Sequence, residues 1–208
     1  TAGQTGGTGH TPVAAVAAIT SVVAGEHTTT AVAAQTPEAS DTTVPAVTGA
    51  IAAVMSANPA LTATQAWEIL AATVNDAGAP GNDSDYGRGI LNVGWAMSQS
   101  DPTRVDPAVS SHYYDVTKSQ MDFVVQNRGG QALSGLSLDV ETDALTKRYT
   151  ISSLAVGAST VITVPVDQKT LTTNGAILYK TTLSTPIGVN DQNPTNNIIT
   201  SRLTPPKK

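Results

Sequence analysis

The stretch MDFVVQNRGGQALSGLSLDV, residues 121–140, decides the fold of the second half of the chain. Met121, Phe123 and Val125 alternate with their neighbours before the NRGG turn, and a similar alternation follows it. Because successive side chains of a strand point to opposite faces, this period of two predicts strands that bury one face. Further alternating stretches follow, separated by turn residues. Short strands at this spacing predict an all-β sandwich over residues 109–208.

The stretch TVPAVTGAIAAVMSANP, residues 43–59, predicts a helix over about residues 45–57. Pro45 suits the first turn of a helix, and Asn58 is pushed out of the helical region because Pro59 follows it. Polar residues are nearly absent around this helix, so it is expected to be buried all round. A unit of about 100 residues cannot easily surround it. We therefore expect cover from further copies of this chain, as a homo-oligomer or polymer, or from an associated N-terminal protease fragment.

A second helix is predicted over about residues 63–75. Thr62 and Gln65 have the three-residue spacing of a capping box, in which each side chain bonds to the backbone of the other residue. The segment 101–108 carries two prolines and is interpreted as a linker. The chain is therefore expected to divide into a helical first half and an all-β second half.

The composition limits the classes of function. Charged residues make up 13% of the chain, the net charge is −5, and the 11 basic residues are scattered, so nucleic acid is not an expected partner. Cysteine is absent, which excludes disulfides and thiolate catalysis. No run approaches the ~18 apolar residues that span a bilayer. Low charge and many Thr, Ser and Asn residues are common in secreted bacterial proteins, so we expect a secreted, extracellular chain.

Three motifs follow one another between residues 40 and 98. Their positions are Pro45, Val47 and Gly49, then Asn58, Pro59, Leu61 and Thr62, then Asp83 or Asp85, Tyr86, Gly87, Gly89, Leu91 and Asn92. This order resembles the C-terminal end of the catalytic domain of subtilisin-like serine peptidases (subtilases), where the motif Gly-Thr-Ser-Met-Ala-x-Pro-x-Val-x-Gly carries the nucleophile and opens a buried helix. The resemblance implies an α+β protein of two domains: a subtilase-like helical or α/β remnant over residues 1–100, then the sandwich.

The position of the catalytic serine is altered in this resemblance. Counting back from Pro45 without gaps places Asp41 there, whereas a gap of two residues places Thr43 there. A carboxylate cannot perform this acyl transfer with a histidine base in the usual way, and an unassisted threonine is a weak nucleophile. We therefore expect a pseudoenzyme with no intact catalytic triad. Asp41 is interpreted as a cap of the first helix rather than as an acid–base partner of Glu38.

The segment PVAAVAAITSVVAG, residues 12–25, has two alignments within the same resemblance. It is similar either to the catalytic-histidine motif, with His10 displaced, or to the Ala-Pro-Gly-x-x-Ile-x-Ser segment that precedes the serine. The second alignment is favoured because Ile19, Ser21 and Gly25 then match. It implies that the segments holding the catalytic aspartate and histidine are missing from this chain.

The second half of the chain carries a resemblance of its own. The stretches MDFVVQNRGGQALSGLSLDV, SSLAVGAS and NDQNPTNNIIT are similar to the CARDB-type immunoglobulin-like modules found downstream of secreted proteases. This resemblance implies an immunoglobulin-like β-sandwich. It implies no particular activity, because β-sandwiches share such patterns without a common function.

Two loops rich in Asp and Asn are the candidate metal sites. Asp83 and Asp85 lie in GNDSDYG, and Asp191 lies in NDQNPTNN. Calcium takes several oxygen ligands in a tight loop, but neither loop has EF-hand spacing and Asx turns explain the same residues. No cofactor is therefore expected, with calcium as the alternative. Asn82 opens a glycosylation sequon. The histidines share no local motif and are expected at the surface: His10, His27 and His112.

These observations favour a secreted, subtilase-derived protein that acts as an extracellular structural or assembly subunit, in a filament or scaffold, or as an adhesive subunit. The alternative is the C-terminal fragment of a secreted subtilisin-like endopeptidase, active only with its N-terminal portion. A third hypothesis, carbohydrate binding by the sandwich alone, has no aromatic platform in the sequence to support it.

Overall fold

The structure, a computed structural model, describes residues 43–205, with side chains from residue 46 onward. Within this range three helices come first: α1 (Thr43–Ala57), α2 (Ala63–Ala72) and α3 (Val93–Ser98). Seven strands follow, with a short helix α4 (Gln168–Asn174) between the fifth and the sixth. The strands are β1 (Pro107–Asp115), β2 (Gln120–Asn127), β3 (Leu133–Glu141), β4 (Thr146–Leu154), β5 (Ser159–Pro165), β6 (Ile177–Ser184) and β7 (Ile198–Leu203).

The strands form two antiparallel sheets. One sheet has the order β1-β2-β5, and the other has the order β4-β3-β6-β7. Buried side chains of both sheets pack into one hydrophobic cluster, which makes the arrangement a sandwich. In constant-type immunoglobulin domains the fourth strand belongs to the sheet of the first two. Here β4 pairs with β3 instead, so its free edge lies in the larger sheet.

The alternating residues that predicted the strands form the core of this sandwich. Phe123 is fully buried. The centroid of its ring lies 4.7 Å from the ring centroid of His112 and 5.8 Å from that of Tyr179. The predicted inward residues of β2, β3 and β6 are buried: Met121, Phe123, Val125, Leu136, Leu138, Val140, Ile177, Tyr179 and Leu183. Ile162 and Val164 of β5 are half-buried and pack against the same cluster. The predicted β-sandwich is therefore confirmed, while helix α4, which lies between β5 and β6, was not predicted.

Two predicted boundaries differ from the structure. The predicted helix 63–75 ends at Ala72, because Thr73 leaves the helical conformation and its side chain donates a hydrogen bond to the carbonyl oxygen of Ile69 (2.8 Å). Strand β1 begins at Pro107, inside the stretch interpreted as a linker. Just before it, Val105 packs in the core of the sandwich. The chain is therefore ordered as part of the sandwich before residue 109.

The capping box of α2 is present as the sequence predicts. The hydroxyl oxygen of Thr62 accepts a hydrogen bond from the backbone N–H of Gln65 (3.3 Å). In return, the side-chain oxygen of Gln65 accepts one from the backbone N–H of Thr62 (2.9 Å). Two N–H groups that a helix start leaves without partners are thereby satisfied.

Helix α1 matches the first predicted helix, but it is not enclosed on every side by the described residues. Val47, Ala50 and Val54 are buried. Ala50 and Val54 belong to one cluster with buried residues of α2 and α3. The exposed positions carry small side chains, such as Ala46, Thr48, Gly49 and Ala52. Exposing a small side chain costs little, because the hydrophobic effect scales with apolar area. Among residues 43–205, no helix is both long and apolar enough to cross a membrane.

Candidate functional site

The candidate residues from the sequence fall in three places. Asp41 lies outside the described residues, and Thr43 is the first residue of α1. Asp83 and Asp85 lie in the loop between α2 and α3 (residues 73–92, the α2–α3 loop). Asp191 lies before β7. The candidates therefore do not converge on one site, and the α2–α3 loop, which holds two of them, is considered first.

The α2–α3 loop is closed at its base by paired backbone groups. Asn75 and Ile90 form an antiparallel bridge, with both N–H···O distances 2.8 Å. The side-chain nitrogen of Asn92 donates to the side-chain oxygen of Asn75 (2.8 Å), while its own oxygen caps α3. The chain between these residues is thereby held as a compact loop.

Asp83 organises the tip of this loop through an Asx turn. Its Oδ1 accepts hydrogen bonds from the backbone N–H groups of Asp85 and Tyr86, both at 2.7 Å. The Asp83 backbone also pairs with Gly87 in both directions. The other oxygen, Oδ2, is buried and has no hydrogen-bond partner. Asp85 differs, because it is exposed to solvent and takes part in the turn through its backbone N–H.

Asp76 is the residue of this loop that the sequence analysis missed. Its side chain is only 6% exposed, and its Oδ2 accepts a hydrogen bond from the N–H of Gly81 (2.8 Å). Its Oδ1 is buried without a partner. Burial raises the pKa of Asp76 above its ordinary value, and the charge of Asp83 raises it further, against the lowering effect of the Gly81 hydrogen bond. The charge of Asp83 therefore acts on the Asp76 carboxylate.

Gly78 lets the chain pass close to these carboxylates. Its φ of +74° is a conformation that side-chain-bearing residues rarely adopt. A Cβ atom at this position would lie 2.7 Å from Oδ2 of Asp83 and 2.8 Å from the ring of Tyr86. A glycine here is thus required both by the backbone conformation and by the space.

The α2–α3 loop is joined to the sandwich by buried hydrogen bonds from β2. Gln126 is buried; its oxygen accepts from the N–H of Asp76 (3.2 Å) and its nitrogen donates to the carbonyl oxygen of Val74 (3.3 Å). Arg128 donates to the same Gln126 oxygen (3.1 Å). Burial lowers the pKa of Arg128 to about 10, so the guanidinium stays charged at neutral pH.

Strand β1 supplies the other half of this contact. Ser110 donates to the carbonyl oxygen of Asp76 (2.6 Å) and accepts from Arg128 (3.0 Å). Ser111 donates to the carbonyl oxygen of Gly78 (3.0 Å). These bonds and those of Gln126 together are called the joint. Because buried polar groups are costly without partners, the joint fixes the α2–α3 loop against the sheet.

Asp191, the third calcium candidate, has both carboxylate oxygens occupied by protein groups. Oδ1 accepts from the backbone N–H of Asn193 (2.8 Å), and Oδ2 accepts from the side-chain nitrogen of Asn197 (2.6 Å). This is the Asx-turn interpretation, in which the carboxylate organises the loop without an ion. In the described part of the chain, no group of three or more His, Cys, Asp or Glu side chains forms a metal site.

His112 is a correction to the expectation of surface histidines. Its Nδ1 lies 2.7 Å from the hydroxyl of Ser201, and its Nε2 lies 2.8 Å from the hydroxyl of Thr181, which is itself buried. Burial lowers the pKa of His112 to about 4. The neutral ring therefore connects β1 to β6 and β7 inside the sandwich. His10 and His27 lie outside the described residues.

A pocket of about 530 Å³ opens at the end of the sandwich beside α4. Its wall is mostly apolar and includes Val140, Ile177 and Tyr179, whose pKa is raised by burial. Tyr149 also lines it, with the ammonium group of Lys147 4.8 Å from its ring centroid. Such dimensions and lining are typical of sites for small apolar ligands. None of the candidate residues from the sequence lines this pocket.

The sequence matches no protein-family model and, at a significant level, no curated protein. Among solved structures it is similar to the CARDB domain of a Pyrococcus furiosus protein, a crystal structure in complex with di-metal ions. The identity to that domain is 21%. The similarity covers 41% of this chain and 71% of that chain, with a TM-score of 0.34. The solution NMR structure of one domain of a candidate cell surface protein from Methanosarcina acetivorans is similar at 18% identity, over 52% of this chain and 87% of that one, with a TM-score of 0.36.

CARDB domains are among the structures that this chain resembles. The resemblance that the sequence predicts for residues 109–208 is to the same kind of domain. The TM-scores are low, so the assignment of a sandwich here rests on the chain's own strands and core. The comparisons give no support to the resemblance of residues 40–98 to subtilisin-like peptidases, which stays a prediction.

Proposed function

We propose that this chain is a secreted structural or adhesive subunit that associates with further copies of itself through the free edge of strand β5. The observation that carries the proposal is that β5 lies at the edge of its sheet and contains no charged residue. An edge strand presents unpaired N–H and C=O groups, which can pair with a strand of another chain.

Strand β5 has the composition of a strand that pairs readily. Its sequence is STVITVP, with five consecutive residues that are β-branched. Such residues favour strands, and uncharged strands of this kind are prone to edge-to-edge association. One side of β5 pairs with β2 from Ser159 to Pro165. Val161 points outward and is 40% exposed, so a second copy can approach this edge without burying a charge.

The other three edge strands carry features that oppose such pairing. Strand β1 is interrupted by a bulge between Val109 and Ser111. Strand β4 carries Lys147 and Arg148, and the short β7 carries Arg202. Bulges, charged side chains and short length are the devices that protect natural edges. Strand β5 has a proline only at its last position, Pro165, and has neither a bulge nor a charged residue. This difference supports β5 as the contact strand.

Pairing of β5 with β5 of a second copy would be antiparallel and two-fold symmetric, so each copy would use the same surface. The two sandwiches would then share a six-stranded sheet. A further contact through the exposed small-residue side of α1 would extend such dimers into a polymer or scaffold. That extension rests on the expected need of α1 for cover and is a proposal in the same sense.

The test replaces Val161 with lysine and compares it with a matched control. Val161→Lys places a charge on the free edge, whereas Leu178→Lys places one on β6, a strand paired on both sides. The side chains of Leu178 and Val161 are similarly exposed, at 44% and 40%. We expect sedimentation velocity to show association of the wild type and of Leu178→Lys. Val161→Lys should lose the contact through β5 and sediment as a smaller species, at most the dimer formed through α1. Equal association of all three proteins would refute the role of β5.

The extracellular location belongs to the same proposal. It is supported by the low charge, 13% of the residues, and by the polar, uncharged composition of the chain. Recovery of the native protein from the medium or the cell surface of the producing cells would support it. Recovery from the cytoplasm in intact cells would contradict it.

A second candidate function is the C-terminal fragment of a secreted subtilisin-like endopeptidase. The observation that favours it is that α1 begins at Thr43, the nucleophile position of the gapped alignment. Fluorophosphonate labelling of the native material tests this candidate. A covalent adduct on Thr43 would favour this candidate over the structural proposal. If no residue is labelled and the protein does not hydrolyse casein, the result counts against it.

A further inference from the structure

Two buried carboxylate oxygens in the α2–α3 loop lack any hydrogen-bond partner: Oδ1 of Asp76 and Oδ2 of Asp83. Each residue uses its other oxygen to accept backbone N–H groups of the same loop. Each carboxylate is therefore held in place by hydrogen bonds to one oxygen, while its other oxygen is left without a partner. Asp76 is more than nine-tenths buried, and its carboxylate is turned into the loop that Asp83 organises.

A buried anionic oxygen without a partner is costly, and like charges in one small loop add to that cost. Oδ2 of Asp83 lies against Gly78, two residues after Asp76, and Oδ2 of Asp76 bonds to the N–H of Gly81, two residues before Asp83. Three arrangements reduce this cost, of which the first is an ordered water that donates hydrogen bonds to the two oxygens. The other two change the charge. Either the two carboxyl groups share a proton, or a cation binds between them. A shared proton cancels one charge, whereas a divalent cation balances both.

We propose that the α2–α3 loop binds one Ca²⁺ ion between the carboxylates of Asp76 and Asp83. Calcium takes oxygen ligands in flexible geometry and accepts backbone carbonyl groups and water beside carboxylates. The proposed site has two carboxylates, and no group of three or more acidic, His or Cys side chains forms a metal site among residues 43–205. Two carboxylates alone do not fill the coordination of Ca²⁺. The remaining ligands are therefore carbonyl oxygens of this glycine-rich loop and water. Mg²⁺ is disfavoured because it demands near-ideal octahedral geometry.

The ion would also affect the joint. The backbone N–H of Asp76 bonds to Gln126, and its carbonyl oxygen accepts from Ser110. An ion that holds the Asp76 side chain therefore holds a residue whose backbone is attached to the sandwich on both sides. This inference goes beyond the proposed association through β5 and does not depend on it.

The test is calcium titration of the full 208-residue chain after treatment with EGTA. We expect isothermal titration calorimetry to give one ion per chain, and saturating Ca²⁺ to raise the Tm by about 5 °C or more. Asp76→Asn and Asp83→Asn should each weaken Ca²⁺ binding by at least about tenfold. The matched control is Asp85→Asn, which removes the same charge from an exposed residue of the same loop and should bind as the wild type does.

The effect of Asp76→Asn on stability should differ between EGTA and Ca²⁺. This difference separates an ion site from a purely structural role of Asp76. In EGTA, Asp76→Asn is expected to be at least as stable as the wild type, because the new amide can donate to Asp83 and the repulsion is removed. In Ca²⁺ the same variant is expected to be less stable than the wild type. No Ca²⁺ response of the wild type, or an unchanged response in both Asp76→Asn and Asp83→Asn, would overturn the proposal and favour a shared proton or bound water.

Discussion

The burial of His112 predicts a loss of stability in mild acid. The ring is neutral between Thr181 and Ser201 in the folded chain, and burial lowers its pKa from 6.5 to about 4. The unfolded chain therefore binds more protons than the folded chain between these two pH values. The contribution of His112 to stability is complete above pH 6.5 and is lost progressively as the pH falls towards 4.

The size of this effect follows from the two pKa values. Between pH 7.5 and pH 5, a shift of this size corresponds to about 2 kcal/mol of the free energy of unfolding. The edge of the ring that remains accessible to water reduces the penalty, so we expect a loss of about 1 to 2 kcal/mol. Protonation does not break the hydrogen bonds, since both hydroxyl groups can accept; the cost lies in the desolvation of the imidazolium.

The assay is urea unfolding of the wild type and of His112→Gln at pH 7.5 and pH 5. The variant keeps a polar side chain but cannot titrate in this range. The other titratable groups are present in both proteins, so their effects cancel in the difference. We expect the wild type to lose about 1 to 2 kcal/mol more than the variant. Parallel losses in the two proteins would refute the reasoning that His112 is held neutral by burial.

Three further changes test the core, the joint and the capping box. Phe123→Ala empties the centre of the sandwich and should cost about 3 to 5 kcal/mol in urea unfolding, whereas Val156→Ala at an exposed position should change stability by less than about 0.5 kcal/mol. Gln126→Ala leaves buried backbone groups of the α2–α3 loop without partners and should cost about 2 to 3 kcal/mol, measured against the exposed Gln168→Ala. Thr62→Ala removes the cap of α2 and should lower stability by about 1 kcal/mol, visible as a lower Tm.

The strands that were predicted differ from those that were missed in how many side chains they bury. Strand β2 from Met121 and strand β3 from Leu136 bury a large apolar residue at every second position, as at Leu136 and Leu138. Strand β4, TKRYTISSL, buries only Ile151 and Leu154 and is otherwise polar. Helix α4 buries only Leu171 and is fixed by the cap that Asp167 provides. Such elements are held by their neighbours in the fold, and a local pattern does not reveal them.

The need of α1 for cover stays a prediction, and the structure shows which of its side chains are exposed among the described residues. An apolar helix was expected to require cover on every side, but the described chain exposes Ala46, Gly49 and Ala52. The argument treated small and large apolar residues alike, whereas the cost of exposure follows the apolar area. The large side chains Val47 and Val54 are indeed buried. The expectation of a partner therefore stays a prediction, and the free edge of β5 adds a second, independent reason for it.

The candidate site was predictable only where its residues are local in sequence. Asp83 was found because it lies in a loop rich in Asp and Asn. Asp76 was missed because it follows α2 as a single acidic residue, and only the folded loop brings it towards Asp83. The joint was equally invisible, since Gln126 lies 50 residues from Asp76 in the chain. Contacts of this range depend on the tertiary fold.

The most direct test of the proposed function is amide hydrogen exchange of β5 as the protein concentration is raised. Half of the N–H groups of an edge strand point away from its one partner strand. If β5 pairs with β5 of a second copy, these N–H groups become protected on concentration, while the edges of β4 and β7 remain unchanged. Rapid exchange of the outward β5 amides at every concentration would contradict association through this strand.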